Sequence, residues 1–137
     1  MTGLVSTAEV LIAAPVDRVW KALTEPAKVK QWMFGTDLET DWRPGSPISW
    51  TGEWEGKPFR DEGEVIEVVP NEKLVLTHTS GSSGGDSHTI VYTLSDHDGH
   101  TDVTLTQDSN GSQKEADQAT KNWSMMLAGM KKVVESG

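Results

Sequence analysis

The sequence predicts an α+β fold in which a curved antiparallel sheet wraps around one long C-terminal helix. Three observations point to it. Apolar residues recur at helical spacing near the N-terminus and again at the C-terminus, while the stretch between them alternates with the period of a strand. Short turn sequences separate the alternating runs, so consecutive strands pair as a meander. Only the last helical stripe is long enough to cover the apolar face that such a sheet presents. At 137 residues the chain fits a single domain spanning 1–137, and a chain of this size buries roughly two thirds of the surface its unfolded form exposes.

Each element has a local reason. Residues 7–13 (TAEVLIA) are short, partly apolar and stopped by Pro15, which predicts an opening strand. Val16, Val19, Trp20 and Leu23 follow at i, i+3, i+4 and i+7, one face of a helix. Pro15 suits its first turn, where a missing N–H costs nothing, and Asp17 complements the positive helix end. Pro26 repeats the start signal, and Val29, Trp32 and Met33 repeat the spacing, so two short helices stand in tandem with a break at Glu25-Pro26.

From Thr36 the period changes to two. Ile48, Trp50, Gly52 and Trp54 alternate with Ser49, Thr51, Glu53 and Glu55. Glu55-Gly56-Lys57-Pro58 is a turn, and the strand over 59–69 ends at Pro70-Asn71. Leu74, Leu76 and His78 share a face of the next strand. The loop 81–85 (GSSGG) then leads to a strand on which His88, Ile90, Tyr92 and Leu94 share a face. Asp96-His97-Asp98-Gly99 turns the chain into 101–107. The helical period returns with Ala116, Ala119, Trp123, Met126, Leu127, Met130, Val133 and Val134, a stripe of about five turns. Ser112 with Glu115 forms a capping-box pattern at its start. Together these elements make a helix-grip arrangement with a sheet of about six to seven strands. A twisted sheet touches one helix along a line, and any gap that remains becomes a cavity.

Charge and composition exclude several functions. The formal net charge is −9, from 21 Asp and Glu against 12 Lys and Arg. Residues 74–113 contain no Lys or Arg at all, while Asp86, Asp96, Asp98, Asp102 and Asp108 fall there. Nucleic acid needs clustered cations, and an anionic membrane surface would repel this region. No apolar run approaches the ~20 residues of a membrane span, and no basic N-terminal segment precedes the first apolar stretch. A chain without Cys has no disulfide, thiolate metal site or Cys nucleophile, and a reducing cytoplasm is its simplest location.

The residues resemble a known family. Ala14-Pro15-x-x-x-Val19-Trp20-x-Ala22-Leu23-Thr24-Glu25-Pro26-x-x-Val29-x-x-Trp32 is similar to the N-terminal signature of START-like (SRPBCC) proteins. Within that superfamily the chain resembles single-domain homologues of the activator of the heat-shock-protein-90 ATPase. Arg43-Pro44-Gly45, then Glu62-Gly63-x-Val65-x-Glu67-Val68-x-Pro70, then Leu74 and Thr77 agree in order, and the long final helix with Trp123 completes the pattern. The resemblance covers essentially the whole chain and implies the helix-grip fold with an internal cavity, in a diverse family that mostly binds small ligands. Two departures stand out. Ser46 occupies the place of a second Gly after the Pro-Gly. A single domain is expected, without the second one through which eukaryotic co-chaperones make much of their chaperone contact.

Nucleophile machinery is missing: the sequence has no Gly-x-Ser-x-Gly elbow, no phosphate loop and no His-Glu-x-x-His. His97 and His100 flank a turn and read as solvated. If 74–79 and 87–94 form a hairpin, residues whose numbers sum to about 166 face each other, which makes His78 and His88 cross-strand neighbours on the apolar face. They read as hydrogen-bonded imidazoles near the hairpin end or as a polar anchor for a ligand; spacing identifies no third metal ligand. Glu53 and Glu55 fall on the wet face, whereas Asp61 and Glu67 share a phase with Gly63 and Val65, so one of them is a candidate to point inward. Of the six Trp, Trp20 reads as core packing and Trp42 as a strand end. Trp32, Trp50, Trp54 and Trp123 converge on the expected gap, where Met126 and Met130 add adaptable surface.

The reading is therefore a cavity between sheet and C-terminal helix that binds a small hydrophobic or amphipathic ligand. Its lining is expected from Trp32, Trp50, Trp54, His78, His88, Tyr92, Trp123, Met126 and Met130. No catalytic residue, metal or cofactor is expected, and the chain is a monomer or homodimer. Two alternatives stay open: an enzyme of the polyketide cyclase/hydrolase type using inward polar residues of the same cavity, and a co-chaperone-like module with a chaperone partner.

Overall fold

The computed structural model describes residues 4–33, 35–54, 56–80, 87–110 and 113–136. An opening strand β1 (Leu4–Ile12) leads into the tandem helices α1 (Val16–Thr24) and α2 (Pro26–Trp32). Six further strands follow: β2 (Asp37–Thr40), β3 (Pro47–Trp54), β4 (Lys57–Val69), β5 (Lys73–Ser80), β6 (Ser87–His97) and β7 (His100–Asn110). The chain then forms the long helix α3 (Gln113–Ser136). The break between the first two helices is the expected one. Glu25, held extended by the following Pro26, has φ −85° and ψ 120°, and its N–H still closes the last turn of α1 on the Lys21 carbonyl. The Trp32 indole N–H donates to the Ala22 carbonyl at 2.7 Å, fixing α2 against α1.

The seven strands form one antiparallel sheet in the order β1-β7-β6-β5-β4-β3-β2. From β2 to β7 it is the expected meander, and β1 joins it beside β7. β4 carries an irregularity that alternation alone misses. Its register on β5 shifts between Val65 and Glu67, so Ile66 is an extra, exposed residue. One inserted residue reverses the phase of everything after it. Asp61, Gly63 and Val65 therefore keep one phase, while Val68 lies opposite Leu74 and Glu67 turns outward to pair with Lys73 at 3.5 Å. The expected shared phase of Asp61 and Glu67 is corrected by this bulge.

α3 runs along β1 in the same direction. The Ser6 hydroxyl donates to the Ala116 carbonyl at 2.7 Å, the Lys131 ammonium to the Leu11 carbonyl at 3.0 Å, and the Ala13 N–H to the Glu135 carboxylate at 2.8 Å. Arg18 in α1 reaches the Val134 carbonyl at 2.7 Å. The second half of the helix is thus clamped from two sides, and Leu127, Met130 and Val134 are buried in the core with Ile12, Val19, Val103 and Leu105. Trp20 packs half-buried against that core. Ser112 and the Glu115 side chain of the expected capping box, and the loop 81–85, lie outside the described residues.

Candidate functional site

The first half of α3 is not clamped in this way. Between it, α2 and strands β3–β6 lies a cavity of about 530 Å³, within the size range of small-molecule sites. Leu74, Leu76, Ile90 and Tyr92 from the central strands form its floor. Val29, Trp32, Met33 and Leu38 make one wall, and Ala119, Trp123 and Met126 the roof. Trp50, Phe59, Asp61 and His78 make the opposite wall. Met125, 54% exposed, and the exposed Glu53 border it on the solvent side.

The polar side of the cavity is built by strand register. His78 and His88 are direct partners across β5 and β6, as the sequence arithmetic expects, yet their rings engage opposite neighbours. His78 Nε2 lies 2.9 Å from Asp61 Oδ2, bringing an imidazole and a carboxylate together at the cavity wall, both only about a fifth exposed at 23% and 21%. An ionised carboxylate accepts only, so Nε2 donates and Nδ1 is left for another partner. The His78 ring meets the Trp50 indole edge-on, with centroids 5.0 Å apart and planes at 63°. His88 instead turns towards β7: its Nδ1 lies 2.8 Å from the Asp108 carbonyl, and Asp108 Oδ1 accepts the Thr89 N–H at 2.7 Å.

Aromatic geometry holds the rest. Tyr92 meets Trp123 edge to face, at 6.4 Å and 88°, and the Trp123 indole N–H donates to Gln107 Oε1 at 2.6 Å. Burial pushes the Tyr92 phenol well above the ordinary tyrosine range, so it stays protonated. Its hydroxyl has no hydrogen-bond partner among the described residues, and no described side-chain polar atom is both fully buried and unpaired; the hydroxyl therefore opens to the cavity.

Of the nine residues expected at the site, Trp32, Trp50, His78, Tyr92, Trp123 and Met126 are brought together around this cavity. His88 is outside the lining for the reason just given. Met130 is also outside it: one turn beyond Met126, α3 is already pressed on β1 and α1, and Met130 is fully buried. The Trp54 side chain lies outside the described residues.

Two lining aromatics escape alternation and periodicity. Trp42 sits between β2 and β3 with φ 58°, its indole N–H donating to the Thr24 carbonyl at 3.0 Å. No periodic signal marks such a residue. Phe59 is legible only through its partner, Gly52, because a Cβ there would lie 2.9 Å from the Phe59 ring. Pairing across the Gly56 turn places the ring over that glycine. Among the described residues no cluster of three His, Asp or Glu side chains is positioned to hold a metal, so the site offers apolar contact, hydrogen bonding and one carboxylate–imidazole pair.

The profile of the family described as Activator of Hsp90 ATPase homolog 1-like protein matches residues 13–135. The chain belongs to this family. The START-like superfamily around it is the one its N-terminal residues resemble. A solution structure of the protein ChR145 from Cytophaga hutchinsonii is 35% identical, with a TM-score of 0.85, covering 99% of this chain and 97% of that one. Two more distant structures share the fold alone. DynU16, from the dynemicin biosynthetic locus, is 24% identical with a TM-score of 0.85, and this chain aligns over 97% of its own length but spans only 48% of that protein. CalU16 from Micromonospora echinospora is 18% identical with a TM-score of 0.74, over 98% of this chain and 86% of that one. No curated protein matches the chain. No helix among the described residues is long and apolar enough to cross a membrane.

Proposed function

We propose that the chain binds a small hydrophobic or amphipathic molecule between its sheet and the first half of α3. The observation that carries this reading is a cavity of about 530 Å³ walled by Trp32, Trp42, Trp50, Phe59, Tyr92 and Trp123 with one polar pair at its side. Aromatic faces supply large, shape-tolerant contact area, while Met126 adapts to the ligand outline. His78 is the anchor that orients the ligand. The absence of Cys fits a reducing cytoplasm as the place of action.

Titration with the neutral dye N-phenyl-1-naphthylamine tests this directly. The expected result is saturable fluorescence enhancement in the wild type and its loss in Ala119→Trp, which fills the cavity from α3, with circular dichroism unchanged. Equal dye binding by both proteins would place the ligand elsewhere.

A second reading is turnover, favoured by the Asp61–His78 pair, since a base oriented by a carboxylate is the usual arrangement for proton transfer. His78→Gln would then abolish conversion of a bound ligand while retaining its binding. The co-chaperone alternative calls for a broad exposed apolar patch, and the exposed large hydrophobics Val5, Leu11, Ile66 and Met125 fall on three separate elements.

A further inference from the structure

The cavity wall has an electrostatic asymmetry that ligand binding alone does not require. Asp61 and Glu53 border the cavity, and no Lys or Arg does so among the described residues. Lys30 and Arg60, on the surface nearby, are paired with Asp37 at 3.1 Å and Glu62 at 3.3 Å. A buried anion needs a cation or several aimed donors, and the indole and imidazole donors here are spoken for, which leaves neutral groups such as the Tyr92 hydroxyl and the Asn122 amide. The indole N–H groups of Trp32, Trp42 and Trp123 go to Ala22, Thr24 and Gln107, and the His78 Nε2–H goes to Asp61.

We propose that the cavity selects uncharged ligands that donate an O–H or N–H group to His78 Nδ1, and rejects carboxylates and other anions. This deepens the proposed binding function and rests on it. An incoming carboxylate would lose its water, meet no Lys or Arg and lie close to the Asp61 carboxylate, three costs that add. A hydroxyl on the same ring system loses little on burial because His78 Nδ1 accepts its hydrogen bond and the Tyr92 hydroxyl is within the same cavity. Fatty acids, phosphate esters and acyl carboxylates are thereby excluded as a class, while phenols, alcohols and uncharged amides fit.

The experiment compares three probes that share one ring: 2-naphthol, 2-methylnaphthalene and 2-naphthoate, each titrated calorimetrically into the full chain at neutral pH. Naphthol is expected to bind about tenfold or more tighter than naphthoate. His78→Leu should weaken naphthol by about tenfold and leave methylnaphthalene unchanged. Asp61→Asn, which keeps the shape and removes the charge, should narrow the gap between naphthoate and naphthol even if the His78 variant does not fold. Naphthoate bound as tightly as naphthol by the wild type would overturn the selectivity while leaving the binding function intact. So would an equal loss for naphthol and methylnaphthalene in His78→Leu. Absence of saturable binding by all three probes would overturn the selectivity and the binding function together.

Discussion

An added methyl at Gly63 would place its carbon 1.9 Å from the Thr77 carbonyl oxygen and 2.7 Å from the carbonyl carbon. Both are backbone atoms and neither can rotate away. Gly63→Ala should therefore cost about 2 kcal/mol or more in urea denaturation, because β4 must separate from β5 beside the Asp61–His78 pair. Tyr92→Phe should behave in the opposite way. Its hydroxyl has no partner among the described residues, so removing it should change stability by less than about 0.5 kcal/mol. At this scale alternation and hairpin arithmetic place His78 opposite His88, but they do not reveal that Asp61 captures one ring and the Asp108 carbonyl the other. Those contacts run to the outer strands of each pair, β4 and β7, and depend on side-chain direction, which register alone leaves open.

α3 divides into two halves with different duties. Met130→Ala should destabilise by about 2–5 kcal/mol, as for a large core side chain, whereas Met126→Ala at the cavity roof should fall well below that range, since it enlarges an existing space. Guanidinium denaturation of both variants would show the contrast. The clamp at the end of the helix should be pH-dependent. The Ala13 N–H first, and then the Lys131 ammonium, hold the Glu135 carboxyl below the ordinary glutamate range. A folded-state pKa lowered in this way adds stability above the unfolded value and loses it as pH falls through the folded value. The melting temperature of Glu135→Gln should therefore lie below that of the wild type at neutral pH, with the difference closing in acid. Helix periods and proline breaks make α1, α2 and the α3 stripe legible in the sequence. The bulge at Ile66 is not, because an inserted residue leaves no compositional mark and changes only the phase of the residues after it. For the same reason alternation makes Glu67 equivalent to Asp61.

At the scale of the molecule, the meander and the covering helix follow from one switch of period and its return. The cavity does not follow as directly. Its volume is the small difference between the space enclosed and the side chains that enter it, and that difference turns on particulars. Trp42 is carried into the lining by its own left-handed backbone, Phe59 leans over Gly52, and α3 is clamped between β1 and α1 in its second half. Six tryptophans make the central claim measurable in one spectrum, since each indole N–H gives its own nitrogen–proton cross-peak. Titrating the labelled chain with N-phenyl-1-naphthylamine should shift the Trp50 and Trp123 indole signals saturably and leave Trp20, which packs against the core outside the cavity, in place. A saturable titration that moves Trp20 while Trp50 and Trp123 stay fixed would contradict a ligand site between the sheet and α3.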